Sequence, residues 1–175
     1  MMSIIFVFWS YVIVFAVIGL MRGWAKELVV SFSVILALAL TVLLRQYVPI
    51  VANFPDASTE LFWIRTIILV ALVYFGYQTV ALVPHLQAKA TRERLQDALF
   101  GLILGAVNGY LIAGSLFFYI VQANYPYPNI ISAPTGALAT VIQNMMAYMP
   151  PHLLGIPGIY FAVIICFIFV IVVYI

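Results

Sequence analysis

Charge is what this chain lacks most. Lys, Arg, Asp and Glu together make up 7% of its 175 residues, against about 25% in soluble domains. With 67% hydrophobic residues and a mean hydropathy of +1.22, that scarcity excludes a soluble globular domain and points to a polytopic membrane protein. A formal net charge of +2 supplies no basic surface for nucleic acid, so no nucleic-acid partner is expected. Cysteine is nearly missing too: the single Cys166 cannot form an internal disulfide and says nothing about redox compartment. Catalytic signatures are equally scarce. There is no GxSxG, P-loop or HExxH. The two histidines, His85 and His152, stand beside prolines without cysteine or carboxylate neighbours at metal-ligand spacing. Ser31, Ser33 and Ser115 lie in apolar runs with no general base nearby in sequence, as serines that bond to backbone or to a neighbouring helix do. The expectation is a protein with no enzymatic activity, no cofactor and no metal.

What the chain does have is long apolar runs. Five stand out: Ser3–Met21, Leu28–Leu44, Leu61–Val83, Ala98–Gln122 and Ile159–Ile175. Each approaches or exceeds the roughly 17 residues that a helix needs to cross the hydrocarbon layer. None alternates as barrel strands must. The predicted fold class is therefore all-α, a bundle of about five transmembrane helices. The first run has no basic flank before it and no small-x-small cleavage site, so it reads as a span rather than a signal peptide. The last ends without a charged stop, which fits either a helix finishing at the membrane surface or a natural chain that continues.

Lysine and arginine set the expected orientation. Arg22 and Lys26 lie in the first connection, and Lys89, Arg92 and Arg94 in the third. Arg45 and Arg65 fall on the other side, and residues 123–158 carry no charge. The positive-inside rule puts the first and third connections in the cytoplasm, the N-terminus outside and the C-terminus inside.

The connections suggest roles of their own. In "GLMRGWAKELV", Arg22 and Lys26 share a helical face beside Glu27, and Trp24 sits at interface depth. The segment reads as a positive-inside anchor, with a site for anionic lipid or a partner as the sharper alternative. "PHLQAKATRERLQDALFG" pairs Lys89 with Glu93 and Glu93 with Asp97 at a spacing of four, and reads as a short amphipathic connector running into the fourth span. Pro84 ends the helix before it, and Thr91 is its candidate N-cap. The last connection holds six of the nine prolines. Within it, residues 136–149 place Leu138, Val141, Ile142, Met145, Met146 and Met149 on one face of an amphipathic interfacial helix. That face suits a cap over the bundle or, since methionine adapts to many surfaces, a docking site through Met145, Met146 and Met149 for another membrane subunit.

Polar groups inside the spans are few. Arg65 lies about one turn from the outer end of its span, where it can snorkel outward and pair with Asp56 or Glu60. Gln78 and Asn108 are the main uncharged polar residues at depth, and Asn108 reads as interhelical glue. A small transporter or channel lined by Arg65, Gln78, Asn108 or Asp97 is the alternative function. The chain shows few of the repeated halves and broken helices that transporters carry.

The most regular feature is "DALFGLILGAVNGYLIAG", residues 97–114. Asp97, Gly101, Gly105, Gly109 and Ala113 advance four residues at a time, so they form one slowly drifting stripe. Glycine weakens a helix in water. In a bilayer the backbone has no water alternative, and a small-residue stripe lets a second helix approach closely. Gly101, Gly105, Gly109 and Ala113 are the predicted packing groove, filled by the first or second helix of the same chain.

Two stretches together resemble the colicin V production (CvpA) family of membrane proteins. The first is the G-x-x-R-G ending of the first helix followed by a glutamate, carried here by Gly19, Arg22, Gly23 and Glu27. The second is the D-x-x-x-G-x-x-x-G-x-x-x-G helix, carried by Asp97, Gly101, Gly105 and Gly109. The resemblance implies a four-helix membrane core over residues 1–122. Residues 123–158 are then a proline-rich outer segment, and residues 159–175 a fifth helix beyond the family's usual core. It also implies a bacterial cytoplasmic (inner) membrane protein concerned with colicin V production or export and with envelope maintenance, and it supplies no catalytic residues. The expected role is a scaffold or accessory subunit of a larger membrane complex, respiratory or photosynthetic assemblies being the concrete variant, with the bilayer and other integral membrane proteins as partners.

Overall fold

The computed structural model describes residues 4–78 and 94–174. The described chain is all helical: α1 Ile4–Arg22, α2 Trp24–Tyr47, α3 Pro49–Ala52, α4 Thr59–Gln78, α5 Arg94–Gln122, α6 Ala137–Met146, α7 Pro150–Leu153 and α8 Gly158–Tyr174. Four of these, α1, α2, α4 and α5, are long and apolar enough to cross a membrane. The fifth apolar run forms α8, whose 17 residues span about 25 Å at the helical rise. The readings placed on Pro84, His85, Lys89, Thr91, Arg92 and Glu93 lie outside the described residues.

Local chemistry sets the helix ends. Gly23 has φ 84°, a left-handed conformation that glycine adopts without strain. It lets the chain reverse from α1 into α2 with no intervening loop. Pro49 opens the short α3 as its first residue, where the missing N–H costs nothing. Ser58 Oγ accepts the Leu61 N–H at 3.2 Å, a side-chain cap on α4. Asn124 and Tyr125 take positive φ values of 53° and 57° and terminate α5, Tyr125 donating its N–H back to the Ile120 carbonyl at 3.0 Å.

Helix α2 is the hub. Half of its apolar stretch is buried, against 11% for α1, and it packs on α4, α5 and α8. Val30, Val34, Ala37, Leu38, Leu69, Ile112, Tyr119 and Ile159 form the main core. Helix α1 lies instead along α5, the most extensive helix pair among the described residues. At the far end of that pair, Phe8, Ala113, Phe117, Ile142 and Met149 form a second cluster. It draws the amphipathic α6 down onto the bundle. Helix α6 ends at Met146, short of the expected 149, and Pro150 and Pro151 open α7 soon after.

Candidate functional site: a glycine seam closed by buried polar groups

The α1–α5 crossing is a contact of backbone on backbone. A Cβ placed on Gly105 would lie 2.9 Å from Gly19 Cα, and one on Gly101 3.0 Å from Gly23 Cα. At Gly109 it would meet Phe15 Cβ at 2.8 Å and Val12 Cα at 2.9 Å. A Cβ on Gly19 would run into the Gly101 carbonyl oxygen. Distances under 3 Å leave no room for a methyl group, so these four positions accept only glycine in this arrangement. Ala113 continues the stripe into the second cluster beside Phe8 and Phe117.

Asp97 closes the end of the seam. Gly23 is the N-cap of α2 and has no side chain with which to cap it. Asp97 supplies the missing acceptor from the first turn of α5, its Oδ1 taking the Trp24 N–H at 3.2 Å. A carboxylate at a helix N-terminus also meets the positive end of the helix dipole. The fit is tight, since a Cβ on Gly23 would fall 2.6 Å from Asp97 Oδ2.

One turn inward, Glu27 and Asn108 are completely buried. Glu27 Oε1 accepts from Arg22 Nη1 at 2.9 Å. Asn108 Nδ2 donates both to Glu27 Oε2 and to the Glu27 carbonyl, each at 2.8 Å. Ser31 Oγ donates to Asn108 Oδ1 at 2.7 Å. Arg22 then reaches α4, with its guanidinium carbon 4.2 Å from the Tyr77 ring centroid and Nη2 donating to the Tyr77 carbonyl at 3.3 Å. An ionised carboxylate is expensive to remove from water unless it is paired and hydrogen-bonded. Here both of its oxygens are satisfied. The group ties α1, α2, α4 and α5 together at one end of the bundle.

Family-motif residues far apart in sequence therefore share one junction: Gly19, Arg22, Gly23 and Glu27 on one side, and Asp97, Gly101, Gly105 and Gly109 on the other. Sequence reasoning did not single out Tyr77, Gly76 or Gly114. A Cβ on Gly76 would lie 2.8 Å from Ser33 Cβ at the α2–α4 crossing, and one on Gly114 2.7 Å from Pro150 Cδ. Neither glycine repeats at a spacing of four, so no periodicity marks them.

The opposite end of the bundle holds Arg65. Its Nη1 donates to Gln122 Oε1 at the end of α5, and Nη2 lies 3.9 Å from Asp56 Oδ1. Of the two acids that sequence offered it, the partner is Asp56 rather than Glu60. Of the four residues named for a conducting path, three lie toward the Gly23 end of the bundle in different surroundings and Arg65 lies apart from them. Asp97 and Arg65 stand at opposite ends, Gln78 is exposed at the end of α4, and Asn108 is enclosed.

The methionines expected at a docking face turn toward the bundle. Met149 is buried in the second cluster, and Met145 and Met146 are partly buried against it. Ile142 and Met149 of the amphipathic face pack with Phe8 and Phe117, whereas Leu138 and Val141 stay open to a neighbour together with Thr140, Gln143 and Asn144, and with Tyr148 beyond the end of α6. Among the described residues no group of three or more His, Cys, Asp or Glu is placed to hold a metal ion. Between α1, α5 and residues 130–138 lies an apolar cavity of about 740 Å³, lined by Tyr11, Phe15, Ile112, Leu116, Ile131 and Pro134 among others.

No curated protein and no solved structure matches the chain significantly. The family model for the colicin V production protein matches residues 4–147, from the start of α1 to just past α6. With so much of its length matched, the chain belongs to the colicin V production protein family.

Proposed function

We propose that this protein is a non-enzymatic scaffold or accessory subunit of a larger assembly in the bacterial inner membrane. The observation that carries the reading is the uncharged segment 123–158. It lies outside the four long spans, yet Ile130, Tyr148, Leu153 and Ile156 are each more than half exposed. Exposed apolar side chains clustered outside a protein's own core mark contact surfaces. The self-contained polar network supports the same reading, because its hydrogen bonds are spent on holding helices. The glycine seam is the structural spine of this scaffold, residues 1–122 its core, 123–158 its contact segment and 159–175 an added helix that packs on α2. The first and third connections face the cytoplasm, as the excess of basic residues there supports. A respiratory or photosynthetic assembly is the concrete variant, since an uncharged outer segment suits contact with apolar membrane subunits. Purification from native membranes in gentle detergent, followed by native mass spectrometry, tests the proposal. We expect a second polypeptide in fixed stoichiometry that is lost in an Ile130→Ser, Tyr148→Ser double variant. A lone monomer from wild-type membranes contradicts it.

A further inference from the structure

Two arginines and one carboxylate converge where the end of α2, the loop before α4 and the end of α5 meet. Arg45, in the last turn of α2, donates to Asp56 Oδ1, and Arg65 approaches the same oxygen. Glu60 is exposed and joins none of the ion pairs among the described residues. Two cations thus share one anion, leaving a net positive charge centred on Arg65, whose side chain is only 11% exposed. The donors of Arg65 are not used up either. Its Nε is buried without a partner, as is the hydroxyl of adjacent Thr66. Asp56 is the exposed member, 60% exposed in a loop and held through its side chain by the two arginines.

A planar guanidinium fork matches the oxygens of phosphate and carboxylate, and paired arginines are a common means of binding phosphate. Arg65 is the seventh residue of α4, about 9 Å along the helix from its start, a depth from which an arginine reaches the headgroup layer. We propose that Arg45 and Arg65 form a binding site for a phosphate-bearing anion at this membrane surface, with Asp56 as the intramolecular carboxylate that competes for it. The phosphate comes either from a lipid headgroup or from free phosphate.

The full chain, purified in mild detergent, is titrated with inorganic phosphate and separately placed in nanodiscs of phosphatidylglycerol or phosphatidylcholine. Thermal shift and native mass spectrometry read binding. We expect Asp56→Asn to raise affinity and Arg45→Gln to lower it, each by about tenfold. Phosphatidylglycerol retained over phosphatidylcholine, with no response to inorganic phosphate, identifies a headgroup. A response to inorganic phosphate with no lipid preference identifies the free anion. Wild type, Asp56→Asn and Arg45→Gln binding both probes alike overturns the proposal. If Arg45→Gln fails to fold, an unchanged affinity in Asp56→Asn overturns it alone.

Discussion

The two ends of the α1–α5 pair are built from the same kinds of helix and packed in opposite ways. At the Gly23 end, glycines bring the backbones into contact, and each hydrogen-bonding atom of the Glu27 carboxylate and the Asn108 side chain finds a partner. At the Arg65 end, an apolar cavity of about 740 Å³ lies beside the pair, aromatic residues replace glycines, and buried donors of Arg65 and Thr66 stay unpaired, as the Tyr77 hydroxyl does at the other end. Close packing gains dispersion energy and leaves little freedom to rearrange. The contrast is between an end closed backbone to backbone and an end with open apolar space beside the helices. It also shows how a bundle without a hydrophobic drive between its helices is held: by small residues at the crossing and satisfied polar groups beside it.

The sharpest way to break the contrast is to put bulk into the closed end. Gly105→Leu should abolish the folded monomer, with Tm and monodispersity by size exclusion as readouts. At the cavity, Ala113→Leu adds similar bulk where space is available, and we expect a loss of no more than about 1–3 kcal/mol, the usual range for overpacking. Next comes the ion pair. Arg22→Leu strands the Glu27 carboxylate, and removing one partner of a buried pair costs about 3–5 kcal/mol, measurable by reversible unfolding in mixed micelles. Glu27→Gln, Arg22→Leu together should recover part of that loss. Asp97→Ala removes the cap supplied to α2 and should cost about 1 kcal/mol, with Asp97→Asn closer to wild type. Smallest of all, Tyr148→Ser on the exposed surface should change stability by less than about 0.5 kcal/mol, so any loss of a co-purifying partner reports on contact rather than folding.

Much of the closed end was legible from sequence, because its signals are periodic or local. The stripe at Gly101, Gly105 and Gly109 and the G-x-x-R-G stretch are visible as spacing. The apolar runs marked every long helix among the described residues, although α2 begins at Trp24 rather than Leu28. Its polar first turn is held by Asp97 and Arg22, and hydropathy gives no sign of that. What sequence could not give was the pairing across 73 residues between Trp24 and Asp97, or the enclosure of Glu27. In sequence, Arg22, Lys26 and Glu27 read as a positive-inside anchor, whereas the burial of Glu27 is decided by which face of α2 meets α5. The open end was less legible. The methionine face of α6 has the composition of a docking surface, and only tertiary packing turns it inward.

The central claim is that the two motifs interlock within one chain through Glu27 and Asn108. A double-mutant cycle with Glu27→Ala and Asn108→Ala, read as unfolding free energy in mild detergent, tests it most directly. A coupling of at least about 1 kcal/mol is the result expected for groups in one hydrogen-bonded network. Losses that add to within about 0.5 kcal/mol, as distant sites do, would contradict it.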